Sequence, residues 1–279
     1  MIEKLTAAIK IIRPLNFCII IISVFVASAV ASPEKFPVIN IILAAISAGL
    51  TASAGNIIND IFDIQIDKVN QPNRPLPSGS ITIREAYSLF FICIVLSVGL
   101  ALFVNAIVLL IVLLSHLILF LYSKYLKGIP LVGNLAVAFL TGLVFIFGGV
   151  VVENPAASII PALFAFLINL IREFVKDMED VEGDSIAGLN TFPVRFGSKN
   201  SKTLIFIVTL IIIIFSFFPF VASYYKIEFF LIVMVLVNPI FVYCLKILFE
   251  DDSLKNLNRV SNLLKLNMII GLIAIYMGV

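Results

Sequence analysis

Apolar runs long enough to cross a bilayer, each about 17–25 residues, recur along nearly the whole chain with only short polar pieces between them. In hydrocarbon, backbone N–H and C=O groups must find partners inside their own segment, so such runs cross as helices. Nine spans are expected, at about 15–31, 38–58, 86–104, 106–123, 131–151, 157–176, 203–222, 228–248 and 261–278. Composition agrees, with 61% of the 279 residues hydrophobic and 13% charged, against about 45–50% and about 25% in soluble chains. No soluble domain is left over, so residues 1–279 read as one membrane-embedded, all-α, polytopic unit. Lys4, Lys10 and Arg13 ahead of an apolar run and Ala29-Val30-Ala31 have the build of a signal peptide. The chain starts at Met1 with that run retained, so it counts as the first span.

Charge placement orients the bundle. Alternating nine spans puts Lys35 and Lys226 on one side and the other seventeen of the 19 Lys and Arg on the opposite side. Positive loops stay inside, so the N-terminus and both acidic clusters described below are expected at the cytoplasmic face of a multi-pass cell-membrane protein. A net charge of +2 without a basic stripe gives no support to nucleic-acid binding. Cys18, Cys93 and Cys244 sit in apolar spans without metal-ligand spacing and read as small hydrophobes.

Nine of the 17 acids fall in two short segments, residues 59–67 and 173–184, at the ends of the second and sixth spans. The four-span separation hints weakly at two related halves around a shared cavity. Each segment is followed by a polar stretch rich in Pro, Gly and Asn, and the stretches at about 68–85 and 181–202 are candidate lids. On a helix, Asn56, Asn59, Asp60, Asp63 and Asp67 share an arc of about 100°. Asp177, Asp180 and Asp184 share one of about 60° if the helix survives to Gly183.

Carboxylates this close repel and raise one another's pKa unless a cation sits among them. Hard oxygen donors suit Mg²⁺, which completes its shell with water and substrate phosphate, and the absence of nearby His or Cys argues against zinc. Two facing stripes leave room for a diphosphate bridged through metal to both, an arrangement that activates it as a leaving group. The plainer reading is helix-end acids in the headgroup region. Two triads at helical spacing make it the weaker one, since charge near a span is costly to keep without a role.

At these residues the sequence resembles the UbiA superfamily of membrane prenyltransferases. Asn59, Asp60, Asp63 and Asp67 match its N-D-x-x-D-x-x-x-D motif, and Asp180 and Asp184 its D-x-x-x-D motif, with Asp177 one turn earlier. Arg13-Pro14-x-Asn16, Asn73-Arg74-Pro75-Leu76-Pro77, Tyr122…Lys127…Gly133-Asn134 and Thr191-x-Pro193 extend the likeness along most of the chain. The resemblance implies nine helices around a central cavity, Mg²⁺ dependence, and transfer of a prenyl group from its diphosphate to a lipophilic or phosphorylated acceptor. It further implies that Asn59, Asp63, Asp67, Asp180 and Asp184 hold metal, with Asp60 and Asp177 in support. Lys68, Arg74 and Lys127 would lie on diphosphate oxygens, and Asn16, Asn56 and Tyr122 would complete the substrate-binding set.

Tyr122-Ser123-Lys124-Tyr125-Leu126-Lys127 departs from the Tyr-Pro-x-x-Lys-Arg segment of aromatic-acceptor members, and the single His116 from the histidine-richer haem branch. The resemblance is greatest to the archaeal branch that etherifies geranylgeranylglyceryl phosphate with geranylgeranyl diphosphate. Such an acceptor needs its own cations, for which Lys10, Arg13, Arg172 and Lys176 lie on the correct side. Arg172 and Lys176 equally fit pairing with Glu173, Asp177 or Asp180. His116 reads as a hydrogen-bonded structural residue; Asn134 and Asn169 read as interhelical glue or cavity lining. Some of the 25 Phe would line a prenyl channel. A cation-coupled transporter would place its acids near the midplane rather than at span ends. A CDP-alcohol phosphotransferase would carry Asp-Gly-x-x-Ala-Arg, a run this sequence lacks.

Overall fold

The computed structural model describes residues 2–32, 34 and 36–279, and among them there is helix but no strand. Lys35, one of the two cations expected on the sparsely charged side, lies outside the described residues. Nine stretches among the described residues are long and apolar enough to cross a membrane. They are α2 (Pro14–Ala31), α3 (Val38–Phe62), α5 (Ile83–Leu102), α6 (Ala106–Leu121), α7 (Val132–Val151) and α8 (Ile159–Glu179), then α10 (Phe192–Phe215) with α11 (Phe218–Val221), α12 (Ile227–Ile232) with α13 (Asn238–Glu250), and α14 (Leu254–Gly278). Three shorter helices, α1 (Ile2–Ile12), α4 (Ile64–Asn70) and α9 (Val181–Ile186), lie beside them.

The helix starts follow ordinary capping chemistry. Thr82 opens α5 with a capping box, its Oγ1 accepting from Glu85 N at 3.2 Å while Glu85 Oε2 accepts from Thr82 N at 2.8 Å. Asn105 Oδ1 accepts from Val108 N at 2.8 Å to open α6, and α2 and α10 carry proline in their first positions.

Two boundaries differ from expectation. The stretch expected as a lid at 181–202 is largely helical: α9 occupies its beginning and α10 starts at Phe192, interrupted only at Gly197 with φ 80°. Its polarity is that of a helix leaving the bilayer, and Pro193 marks the start of that helix rather than a loop. Residues 2–12, to which the sequence assigned no element, form α1, whose Ala7 and Ile11 bury against Ala54, Ile57 and Ile58 of α3. The chain turns from α1 into α2 through Arg13 at φ 57°, a left-handed conformation unusual for a residue before proline.

Helix contacts divide the apolar interior into two main regions. Val24, Ile41, Val108 and Phe147 pack α2, α3, α6 and α7 together, while Phe174, Phe229, Phe241 and Leu264 join α8 to α12, α13 and α14. Large side chains such as Val95, Leu102, Phe103 and Ile107 remain exposed on the outer surface, which a bilayer covers. His116 is hydrogen-bonded through Nε2 to Ser97 Oγ at 2.8 Å, the structural role expected of it. All three cysteines are free, two of them buried.

Close approach of α2 and α7 depends on Gly148. Its carbonyl accepts from Ser28 Oγ at 3.0 Å, and a Cβ there would meet the Val24 carbonyl oxygen at 2.9 Å. Gly148→Leu is therefore expected to separate these helices and lower stability by about 2–3 kcal/mol, read as a fall in the unfolding midpoint in detergent. Gly99, where a methyl group would meet nothing within 4 Å, should tolerate alanine.

Candidate active site

Both acidic motifs straddle a helix bend. Asp63 lies between α3 and α4 at φ −89°, ψ 5°, and Asp180 between α8 and α9 at φ −96°, ψ 4°. The expected continuous helices are thus interrupted, and in the second motif the break falls at Asp180, ahead of Gly183. The hydrogen-bond ladder nonetheless runs across each bend. Asp63 N donates to Asn59 O at 2.9 Å and Asp67 N to Asp63 O at 2.8 Å; Asp180 N donates to Lys176 O and Asp184 N to Asp180 O, both at 3.0 Å. Each motif therefore keeps its one-sided register while its last carboxylate is re-aimed.

The two bends meet through α4 and α9. Asn70 Nδ2 donates to the Asp180 carbonyl at 3.4 Å, and a Cβ on Gly183 would overlap the Asn70 amide. A larger residue at Gly183 would displace the Asn70 side chain and with it the hydrogen bond that joins the two segments.

Asp60, Asp63, Asp67 and Asp184 are all at most 4% exposed, and the first three are held by cations from elsewhere in the chain. Arg13 Nη2 lies 2.5 Å from Asp60 Oδ1, and its Nη1 donates to Asn56 Oδ1 at 3.3 Å. Arg74 Nη1 sits 2.8 and 2.7 Å from the two Asp67 oxygens and 3.4 Å from Asp60. Lys127 Nζ lies 2.5 Å from Asp63 Oδ2, which also accepts from Asn59 Nδ2 at 2.6 Å. Burial pushes the Asp67 carboxyl up, with Arg74 pulling against it. Burial pulls Arg74 and Lys127 down, but their aspartate neighbours outweigh it and hold both above their ordinary values.

On the second segment, Asp177 Oδ2 accepts from Asn134 Nδ2 of α7 at 2.7 Å. Burial raises the Asp184 carboxyl to about 6, against the pull of Lys127. Several expectations change here. Arg13, expected among the acceptor's cations, is instead part of the first acidic cluster. Lys68 is exposed, with Nζ 3.4 Å from Gln65 Oε1. Arg172 pairs with Glu173 at 3.1 Å, one of the alternatives its spacing allowed.

Among the described residues no three acidic, His or Cys side chains converge at metal-ligand distance; Asp60, Asp63 and Asp67 are engaged by arginine and lysine, and Asp177 by Asn134. The donor set still fits Mg²⁺. It is all oxygen, it lies on two adjoining segments, and Asn59 Oδ1 and Asp184 Oδ1 are buried without hydrogen-bond partners, a condition costly to leave uncompensated.

A cavity of about 420 Å³ runs into the bundle beside the bends. Its polar end carries Arg13, Asn16, Asn56, Asn59, Tyr122, Arg172, Glu173, Lys176 and Lys265; its interior is lined by side chains such as Phe145, Phe164 and Phe241. Asn169 lines it too, as one of its two readings supposed. Sequence reasoning missed Lys265, which lies in a helix with no acidic motif, and missed Asn134 as the partner of Asp177. It also missed the π-helical turn Tyr122–Leu126, closed by Lys127 N to Tyr122 O at 3.0 Å, which positions both of those side chains.

Residues 20–269 match the UbiA prenyltransferase family. The chain is 38% identical over 279 residues to digeranylgeranylglyceryl phosphate synthase of Methanobrevibacter smithii, covering 97% of this chain and 96% of the relative. It is 34% identical over 280 residues to the protein of that name from Methanocaldococcus jannaschii, covering 99% and 97%. A solved structure concerning digeranylgeranylglyceryl phosphate synthase in membranes superposes with a TM-score of 0.79 at 33% identity, over 99% of this chain and 98% of that one. A UbiA homolog from Archaeoglobus fulgidus bound to DMAPP and Mg²⁺ shares the fold, with a TM-score of 0.66 at 18% identity over 96% and 98% of the chains.

The Lys127–Asp63 contact predicts strong coupling between the two side chains. Lys127→Met alone strands a buried carboxylate and should destabilise the protein by about 2 kcal/mol. Adding Asp63→Asn should recover most of that loss in a double-mutant cycle read from unfolding in detergent.

Proposed function

Because the chain belongs to the UbiA prenyltransferase family, we propose that it transfers a geranylgeranyl group from geranylgeranyl diphosphate to geranylgeranylglyceryl phosphate, with Mg²⁺, forming the second ether bond of an archaeal membrane lipid. Near full-length identity to relatives named for that synthesis supports the choice of substrates. The observation that carries the reaction class is the meeting of two acid-bearing helix bends next to a mostly apolar cavity whose charged end includes Asn59 of the first motif and Glu173 and Lys176 just ahead of the second.

In this reading Asn59, Asp63, Asp67, Asp180 and Asp184 hold the metal, which supplies charge neutralisation for the departing diphosphate. Asp60 positions Arg13 and Arg74, and Asp177 is oriented by Asn134. With Asp67 and Asp63 among the residues that would hold the metal, Arg74 and Lys127 would be available to diphosphate oxygens as charge-assisted donors. Lys68 comes in from the exposed side. Asn16, Asn56 and Tyr122 line the polar end against the substrate, and the apolar interior excludes water from the allylic carbon while the acceptor hydroxyl attacks it. Arg172 and Lys176 serve the acceptor's phosphate. The turns between α4 and α5, together with α9 and its short link to α10, would cover the site, since the rest of the expected 181–202 lid belongs to the start of α10. We place the site at the cytoplasmic face, a reading that the Lys and Arg distribution supports under the positive-inside rule.

The test is an acceptor panel with the protein in bilayers, radiolabelled geranylgeranyl diphosphate and Mg²⁺. Geranylgeranylglyceryl phosphate should be turned over, and 4-hydroxybenzoate, a dihydroxynaphthoate and haem should not. Asp63→Ala and Asp180→Ala should each lower the rate by about 100-fold or more; full activity in both variants would refute the mechanism. A proton competes with metal at Asp184, whose carboxyl is raised to about 6. Mn²⁺ binding followed by electron paramagnetic resonance should weaken as pH falls through that value, and Asp184→Asn should flatten the dependence.

A further inference from the structure

The six aspartates of the bends lie off the cavity wall, whereas Arg172, Lys176 and Lys265 line its polar end. At the bends, Arg13, Arg74 and Lys127 pair with Asp60, Asp67 and Asp63, and Asp177, Asp180 and Asp184 add negative charge that admits a phosphate only together with a cation. On the other side, Lys265 of α14 lies within electrostatic range of Arg172, Lys176 and Glu179. Arg172 has a buried Nε without a hydrogen-bond partner. Of the described charged side chains that line the cavity there, Arg172, Lys176 and Lys265 stand against Glu173 alone, while Asp177, Glu179 and Asp180 lie near them but off the cavity wall, so the wall itself favours an anion.

The patch also leads into an apolar track. Lys265, Met268, Leu272 and Ile275 all line the cavity, and their spacing puts them on one face of α14. Ile168 continues the cavity face of α8 one turn beyond Arg172. Two facing helices thus offer a basic end followed by a long apolar strip, the complement of an amphiphile with a phosphate head and an isoprenoid tail. Gly271 lines the same track and has open space where a side chain would project.

Resting on the function proposed above, we infer that Lys265 anchors the acceptor's phosphomonoester, with Arg172 and Lys176, and that the α8–α14 track holds the acceptor's tail apart from the donor's metal-bound diphosphate. Lys265 thereby selects a phosphorylated acceptor.

Steady-state constants for both substrates in the full-length protein test this. Lys265→Met should raise KM for geranylgeranylglyceryl phosphate by about tenfold or more, the effect of one charge-assisted hydrogen bond. KM for geranylgeranyl diphosphate and kcat should stay unchanged, and the preference over dephosphorylated geranylgeranylglycerol should shrink. Lys265→Arg should restore the acceptor constant. Gly271→Leu, which fills the track without touching charge, should raise the acceptor KM alone and serves independently if Lys265→Met does not fold. An acceptor KM unmoved in either folded variant, or a donor KM that rises equally, overturns the inference while leaving the proposed reaction intact. A wild-type protein that does not turn over geranylgeranylglyceryl phosphate overturns both.

Discussion

Buried carboxylates on adjoining helix ends repel one another, and the irregular parts of this bundle are where the chain answers that repulsion. Arg13 reaches Asp60 from a left-handed residue at the junction of α1 and α2. Arg74 reaches Asp67 from the proline-rich turns after α4, and Lys127 reaches Asp63 from just beyond a π-helical turn. None of these three cations stands on a regular helix beside its partner. Backbone conformations that cost energy elsewhere persist where a surrounding structure over-determines them, and here they bring compensating charge to a site that a regular bundle would leave uniformly acidic.

That arrangement is poised for exchange. In the function proposed above, a carboxylate now held by arginine or lysine would be taken by a divalent cation, and the released guanidinium or ammonium would be free for an incoming phosphate. The paired bends supply the geometry, since each re-aims its last carboxylate without breaking the ladder that fixes its depth. The contact through Asn70 and Gly183 holds the two segments together. Away from its charged end the cavity wall is mostly apolar, with Asn169, Asn238 and Asn267 as polar exceptions, and in the function proposed above that interior would take the prenyl tail.

Much of this was legible in the sequence because bilayer thickness sets the length of a span and helical spacing sets which acids share a face. The nine spans and the shared faces of the two acidic motifs follow from those periods, and the structural role of His116 from its place among Leu and Ile in mid-span. The bends were not legible, because aspartate is tolerated both in a helix and at its end and the choice is made by what packs against it. The helical start of α10 is hidden for a related reason: Arg195, Lys199 and Lys202 are as polar as a loop, and only the position of Pro193 separates the two cases. Arg13 and Lys265 show the other gap. Their partners lie far away in sequence, and no local pattern joins α1 to α3 or α14 to α8.

Joint binding of divalent metal by the two helix bends, against a diphosphate, is tested most directly by anomalous scattering from crystals grown with Mn²⁺ and a non-hydrolysable thio analogue of geranylgeranyl diphosphate. Manganese peaks are expected within about 2.3 Å of oxygens from both the Asp63–Asp67 and Asp180–Asp184 segments, with Arg74 and Lys127 turned onto the diphosphate. Manganese on one segment only, or a diphosphate seated at Arg172 and Lys265 without metal, would contradict it.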